Sequence, residues 1–367
     1  MMVFVNDIVT AIESLAPSGL QEPYDNSGLL TGRGDQQVTG ILVCLDVIPD
    51  IMDEAEKKGC NMIISHHPPF FSGMKRFTGD SMPEEILIRA IRSGLILYSC
   101  HTNLDSVIGG VSGKMAAKLG LINQKILVPR EDDLLKLVCF IPASHLEMVS
   151  QAIFAAGAGS IGKYDHCSFQ VSGNGTFKAG TGAKPYTGII GTVHYEPETR
   201  FETILPKHCL KKVLKAMLDT HPYEEVAYDL YPLVNANPAY GLGISGDLEN
   251  PCGEKELLKK VKEVFGLPVV RHSQLRNKEI KRVALCGGSG IQFIKEAIFS
   301  GADIYLTADI KYHSWFEVPH NFILADIGHF ESEQFAINLL ADSLIENFPK
   351  FAVYLTEVNT NPINYFL

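Results

Sequence analysis

The residues of this chain best suited to chemistry are histidines and carboxylates set just behind short apolar runs. His66 and His67 close the run Met62-Ile-Ile-Ser65 and are followed by Pro68-Pro69. His101 and Asp105 follow the run from Leu95 to Leu97, and His329 and Glu333 follow the run from Phe322 to Ala325. Imidazole nitrogens and carboxylate oxygens are the donors that bind zinc, manganese or iron, and carboxylates also suit magnesium.

The spacing says more than the composition. Met62-Ile-Ile is short and stopped by two prolines, so a buried strand fits it best. Consecutive residues on an extended chain point in opposite directions, and Pro68 biases His67 toward extended geometry. Two such imidazoles diverge, which suits two ions about 3.5–4 Å apart better than a single chelated one. His329 and Glu333 stand four residues apart at the opening of a helix running through Gln334 and Leu340, so they share a face. Asp105 adds a hard oxygen, and the set becomes His66, His67, Asp105, His329 and Glu333. His101 could ligate as well, but it is placed outside the set, as a general acid or base or a hydrogen-bond partner of a ligand. Any one of these histidines taken alone reads better as a surface or satisfied core residue. Three placements behind apolar strands, where open α/β sheets form ligand crevices, favour the site.

Strands and helices alternate around these motifs. A helix from Asn6 to Leu15, a strand at Val43–Asp46, helices over Pro49–Lys58 and Glu84–Arg92, a strand at Leu95–Tyr98 and a helix over Gly110–Leu119 give a layered α/β rhythm. From Asp133 the rhythm changes to β-α-β-β-α-β: Leu134–Ile141, His145–Ala156, Cys167–Val171, then after the glycine-rich residues 173 to 182, Arg200–Leu205, Lys207–Leu218 and Val226–Pro232. That is the ferredoxin-like pattern. The α/β rhythm resumes with a helix over Glu254–Phe265 and a strand at Val283–Leu285. Because the proposed ligands lie on both sides of the middle segment, they can meet only if the flanks fold together. The expected architecture is a discontinuous layered α/β/α metal-binding domain, residues 1–129 with 239–367, and an inserted ferredoxin-like α+β domain, residues 130–238.

Other motifs carry weaker signals. Gly287-Gly-Ser289-Gly290 follows a strand and precedes the segment Ile291–Phe299, where backbone N–H groups could receive a phosphate, although glycines also make plain turns. Asp309 and His313 in Thr307-Ala-Asp-Ile-Lys-Tyr-His313 could orient a ligand or water, with capping an equal reading for Asp309. Tyr24-Asp-Asn-Ser-Gly28 stabilises a turn or lines the crevice. Tyr223-Glu-Glu225 caps a helix-to-strand junction or binds a small effector.

Composition bounds the rest. The 367 residues are 46% hydrophobic and carry 42 acidic against 32 basic side chains, a formal charge of -10. Such a chain fills more than one core and lacks the broad basic footprint of nonspecific nucleic-acid binding. Its eight cysteines form no Cys-x-x-Cys pair and no disulfide framework, no apolar stretch approaches the roughly 18 residues of a membrane span, and the N-terminus lacks a leader pattern. The expectation is a soluble cytoplasmic protein.

Taken together, Tyr24–Gly28, Ser65-His-His-Pro-Pro69, His101-Thr-Asn-Leu-Asp105, Cys286–Gly290, Thr307-Ala-Asp309 with His313, and Gly328-His-Phe-Glu-Ser-Glu333 resemble the dimetal family of GTP cyclohydrolase 1 type 2 homologues, or Ngg-interacting-factor-three-like proteins, over essentially the whole chain. The resemblance implies two divalent ions, zinc first among manganese, iron and magnesium, held by His66, His67, Asp105, His329 and a bridging Glu333. It further implies a PII/CutA-like inserted domain, a homohexameric ring, and GTP or another nucleotide as the small-molecule substrate of a metal-dependent hydrolase. A noncatalytic metal- and metabolite-binding ring or regulatory protein, and a dinuclear phosphoesterase, are the alternatives. The sequence departs from the family pattern at Ala308, where the family usually has glycine, which bears on the backbone beside Asp309.

Overall fold

Alternation within the short strands sets the layers. Ile41, Val43, Met62, Ile64, Ile96 and Tyr98 pack into one core, while Leu42, Cys44, Ile63 and Leu97 between them pack into another. Successive side chains on a strand point to opposite faces, so this sheet is apolar on both sides, as expected of strands paired in parallel. The computed structural model describes residues 2–366 and contains four sheets among them. One has five strands in the order Val353–Leu355, Ile41–Cys44, Met62–Ser65, Ile96–Ser99 and Gly28–Thr31. Its first four are parallel and the last is antiparallel.

A second sheet of six strands runs Arg271–His272, Ile323–Asp326, Ile304–Thr307, Glu279–Leu285, Asn237–Gly253 and Leu121–Arg130. Its three central strands are parallel. Val283, Leu285, Ile304, Leu306, Ile323 and Ala325 enter the same core as the inner face of the first sheet, and Ala284, Tyr305 and Leu324 face away. Helices Val5–Leu15, Val111–Lys118, Glu254–Phe265 and Ala336–Asn347 fill the shared core through Ile8, Met115, Phe265 and Leu340. Helices Pro49–Lys57 and Met82–Ser93 cover the outer face of the five-stranded sheet, and Ile294–Phe299 packs on that of the other. The mixed α/β class matches the expectation, but with two sheets sharing a helical core rather than one.

The chain divides into two compact units, Met1–Pro129 with Ala239–Leu367, and Arg130–Pro238. Within the second unit, strands Leu134–Pro142, Ser168–Lys178, Val193–Pro206 and Tyr228–Pro232 form an antiparallel sheet with the last strand beside the first, and helices Leu146–Ala155 and Leu210–Thr220 pack on it. The strand expected to end at Val171 instead runs on through the first of the glycine-rich residues to Lys178. Pairing with Val193–Pro206 carries them: Gly175 lies opposite Glu196, and a Cβ on it would stand 2.0 Å from Oε2 of Glu198. Glycine inside a strand marks such a close approach. No helix among the described residues is long and apolar enough to cross a membrane.

Candidate metal centre

Parallel register brings the candidate ligands to one place. Cys44, Ser65 and Ser99 end adjacent strands in register, so Asp46, the pair His66 and His67, and His101 emerge side by side beyond them. Leu285, Leu306 and Ala325 are likewise aligned in the second sheet, and beyond them lie Gly287, Asp309 and His329. The strand ends of both sheets therefore supply one cluster, the crevice position that parallel sheets favour for ligands.

Four imidazole rings meet there. Ring centroids lie 4.9 Å apart for His66 and His67, 5.2 Å for His66 and His101, 5.3 Å for His67 and His101, and 5.4 Å for His67 and His329. Each ring is fixed by an oxygen at Nδ1. His66 is 2.8 Å from the carbonyl of Cys100, His67 2.7 Å from Oδ1 of Asp46, His101 2.8 Å from Oδ1 of Asp25, and His329 2.7 Å from Oδ2 of Asp309. An oxygen acceptor at Nδ1 holds the proton there and turns Nε2 inward, the arrangement common to metal-binding histidines. His66, His67 and His101 bring one ligand atom each within 4.8 Å of one another, and so do His67, His329 and Glu333. These groups could hold a metal ion.

The electrostatics are unbalanced without a cation. Oε2 of Glu333 is 2.9 Å from Nε2 of His67 and 3.0 Å from Nε2 of His329. Burial would raise the Glu333 carboxyl, yet these bonds hold it well below the usual range. Burial would likewise lower the two imidazoliums, but their carboxylate partners raise His67 to about 9 and His329 to about 11. His66 is different: burial pushes it down to about 3. Burial, with the charge of Glu333 next, drives Asp105 up.

The misfit is sharpest between those two residues. Nε2 of His66 and Oδ1 of Asp105 are both buried, both lack a hydrogen-bond partner, and stand 3.9 Å apart. A buried unsatisfied polar atom costs on the order of 1–3 kcal/mol. One cation between an imidazole lone pair and a carboxylate oxygen would satisfy both, so the donor set fits a divalent ion. The cluster opens into a cavity of about 660 Å3 walled by Tyr24, Ile48, Phe71, Phe293, Phe330 and Ile363.

Residues 3–362 match the family model described as Duf34/NIF3 (NGG1p interacting factor 3). The chain belongs to the Duf34/NIF3 family. It is 37% identical to a protein named GTP cyclohydrolase 1 type 2 homolog from Halalkalibacterium halodurans, over 88% of this chain and 87% of that one. A Bacillus subtilis protein of the same name is 34% identical over 98% of this chain and 97% of its own. Among solved structures, a Bacillus cereus protein related to NIF3 superposes over 100% of both chains with a TM-score of 0.84 at 33% identity.

In this Duf34/NIF3 member, His66, His67, Asp105, His329 and Glu333 come together, and His101, kept apart in the sequence reading, stands among them. The glycine loop does something other than wait for a phosphate. The N–H groups of Gly287, Gly288 and Gly290 are donated to the hydroxyls of Ser112, Ser332 and Thr307, at 3.2, 2.9 and 2.9 Å. Gly287 and Ser289 still line the cavity. Asp309 anchors His329 from a left-handed backbone, φ 55°, a conformation that aspartate tolerates better than most residues. Ala308 itself is buried and donates its N–H to the carbonyl of Gly288 at 2.9 Å, so the alanine sits in an ordinary backbone and the unusual angle falls on its neighbour. His313 is exposed, and its ring neighbours are Tyr312 and Phe316 rather than the cluster. Asp46 was missed. Its signal was available, a carboxylate just past an apolar strand, but the sequence reading placed it inside that strand.

Proposed function

We propose that the protein is a dinuclear metal-dependent hydrolase of a small molecule, with opening of the GTP purine ring and release of formate as the specific reaction that its relatives' name suggests. The observation that carries the reading is the buried, unpartnered pair of His66 Nε2 and Asp105 Oδ1 beside a carboxylate already shared by two histidines. His66 and Asp105 would hold one divalent ion, His67 and His329 the second, and Glu333 would lie between them. Zinc suits this nitrogen-rich set best, with manganese, iron or magnesium as alternatives. Two such ions supply Lewis acidity and lower the pKa of water at the site. His101, its Nδ1 held by Asp25, is placed to move a proton at Nε2. The aromatic walls would take a planar base.

The PII/CutA-like reading of the second unit, the homohexamer and a cytoplasmic location belong to this proposal, supported by the β-α-β-β-α-β order and by membership of the family. A second reading is favoured by the cavity itself. Its charged lining residues are Asp46, Asp105, Glu333 and histidines, with no lysine or arginine among them, so nothing but the ions themselves would receive the tail of a triphosphate. On that reading the protein is a metal- and metabolite-binding regulator, or a phosphoesterase acting on another substrate.

Formate release from GTP by metal-reconstituted protein, with Glu333→Ala as control, tests the leading reading. Release at the level of that control would remove the cyclohydrolase activity and leave the regulator and the phosphoesterase.

A further inference from the structure

The Arg130–Pro238 unit holds a cavity of its own, about 540 Å3, lined by residues of that unit alone. Three parts of the unit wall it. Phe140 comes from the first strand, Phe177 and Tyr186 from the second strand and the loop after it, and Tyr223 from the junction behind the helix Leu210–Thr220. The Tyr223 ring lies 6.4 Å from Phe177 and 6.1 Å from Tyr186, inclined at 56° and 43°, so the rings stand as walls rather than as a stack.

Carboxylates share the same lining. Glu198, Glu224 and Glu225 face it against one lysine, Lys178. Oε1 of Glu198 accepts the Tyr223 hydroxyl at 2.8 Å, and its other oxygen occupies the space that Gly175 leaves by having no Cβ. Oε1 of Glu224 accepts the N–H of Lys184 at 2.7 Å, which ties the loop carrying Tyr186 to the Tyr223 segment. Sequence, strand pairing and loop anchoring thus all converge on one small chamber.

Its chemistry selects a ligand class. Aromatic faces carry partial negative charge and attract cations, most strongly where water is partly excluded. An anion would meet repulsion from three carboxylates, and a neutral apolar ligand would leave their negative charge uncompensated except by Lys178. A cation clothed in methyl or methylene groups satisfies rings and carboxylates together. We propose that this cavity binds a small organic cation of the alkylated ammonium class.

The test titrates the full-length, metal-loaded protein calorimetrically with tetramethylammonium and with choline, and with the uncharged isostere of choline in which carbon replaces the quaternary nitrogen. Saturable binding of the cations is expected, with the isostere weaker by about tenfold or more. Tyr223→Leu and Phe177→Leu should each weaken choline binding by a similar factor while metal content and circular dichroism stay unchanged; the second variant covers a failure of the first to fold. The proposal is overturned if neither cation saturates, if the isostere binds as tightly as choline, or if a folded ring variant binds choline as the parent does.

Discussion

A Cβ placed on Gly288 would stand 2.1 Å from Oε1 of Glu333. The carboxylate cannot step aside cheaply, because its other oxygen lies between Nε2 of His67 and Nε2 of His329. The glycine loop behind the Glu279–Leu285 strand therefore makes room for a candidate metal ligand, and its amide, donated to Ser332, ties the loop to the helical turn that carries Glu333.

Gly288→Ala should accordingly impair the metal centre. Its φ of 59° costs a substituted residue roughly 1–2 kcal/mol, and the methyl group displaces Glu333 as well. Metal content after gel filtration and the thermal midpoint should both fall. Parental values for both would show that the loop yields instead.

His66→Ala should remove one ion preferentially. Its ring faces Asp105, whereas Glu333 sits between His67 and His329. Elemental analysis of the purified variant should give about half the parental metal, on the two-ion proposal. An undiminished metal count would exclude His66 from the ligand set.

Asp46→Asn should weaken one ion by about 10–100-fold without touching it. Asp46 holds the Nδ1 edge of His67 with one oxygen and accepts the Thr360 hydroxyl at 2.6 Å with the other. Thr360→Val should act in the same direction and less strongly. Competition against a chromogenic chelator reads both, and parental affinity in Asp46→Asn would mean that the His67 ring is held well enough by its other neighbours.

His101→Gln separates two roles. If the imidazole moves a proton, turnover falls while metal content holds; loss of metal would instead make His101 a ligand, as its place beside His66 and His67 permits.

The pH dependence of the metal-free protein above neutrality follows from His67 and His329, and His67 sets the lower window. Burial lowers its pKa, but the bonds to Asp46 and Glu333 outweigh burial and raise it from 6.5 to about 9. A raised folded-state pKa means that the bonds of the imidazolium stabilise fully below pH 6.5 and are lost as pH rises through about 9. Chelator-treated protein should therefore lose stability across that window, and His67→Gln should flatten the slope. Metal affinity should rise over the same range, because the ligand must give up its proton. A stability profile that climbs there would contradict the assignment.

Much of this was legible in the chain. Short apolar runs ending in His66-His67, His101 and Asp326-Ile-Gly-His329 marked strand ends, and the four-residue spacing of His329 and Glu333 marked one helical face. What resisted reading was contact between distant segments. Asp46 is an ordinary carboxylate in sequence and acquires a role only when the parallel register of Ile41–Cys44 with Met62–Ser65 sets it against His67, and Asp25, within a motif that also reads as a plain turn, meets His101 only through the antiparallel pairing of Gly28–Thr31 with Ile96–Ser99. Gly288 reads as a turn residue until Glu333, from a different element, arrives beside it. His313 follows a promising strand, yet its short helix turns it outward to Tyr312 and Phe316.

The sequence by itself determined the donor types, the strand and helix periods, and the fact that ligands lie on both sides of a middle segment. Those are local properties, written in side-chain chemistry and in residue spacing. The tertiary structure alone decided that two sheets rather than one deliver the site, which carboxylate orients which imidazole, and that His66 Nε2 and Asp105 Oδ1 are buried together without partners. Each depends on pairing register and on burial, and both are set by packing across the whole chain.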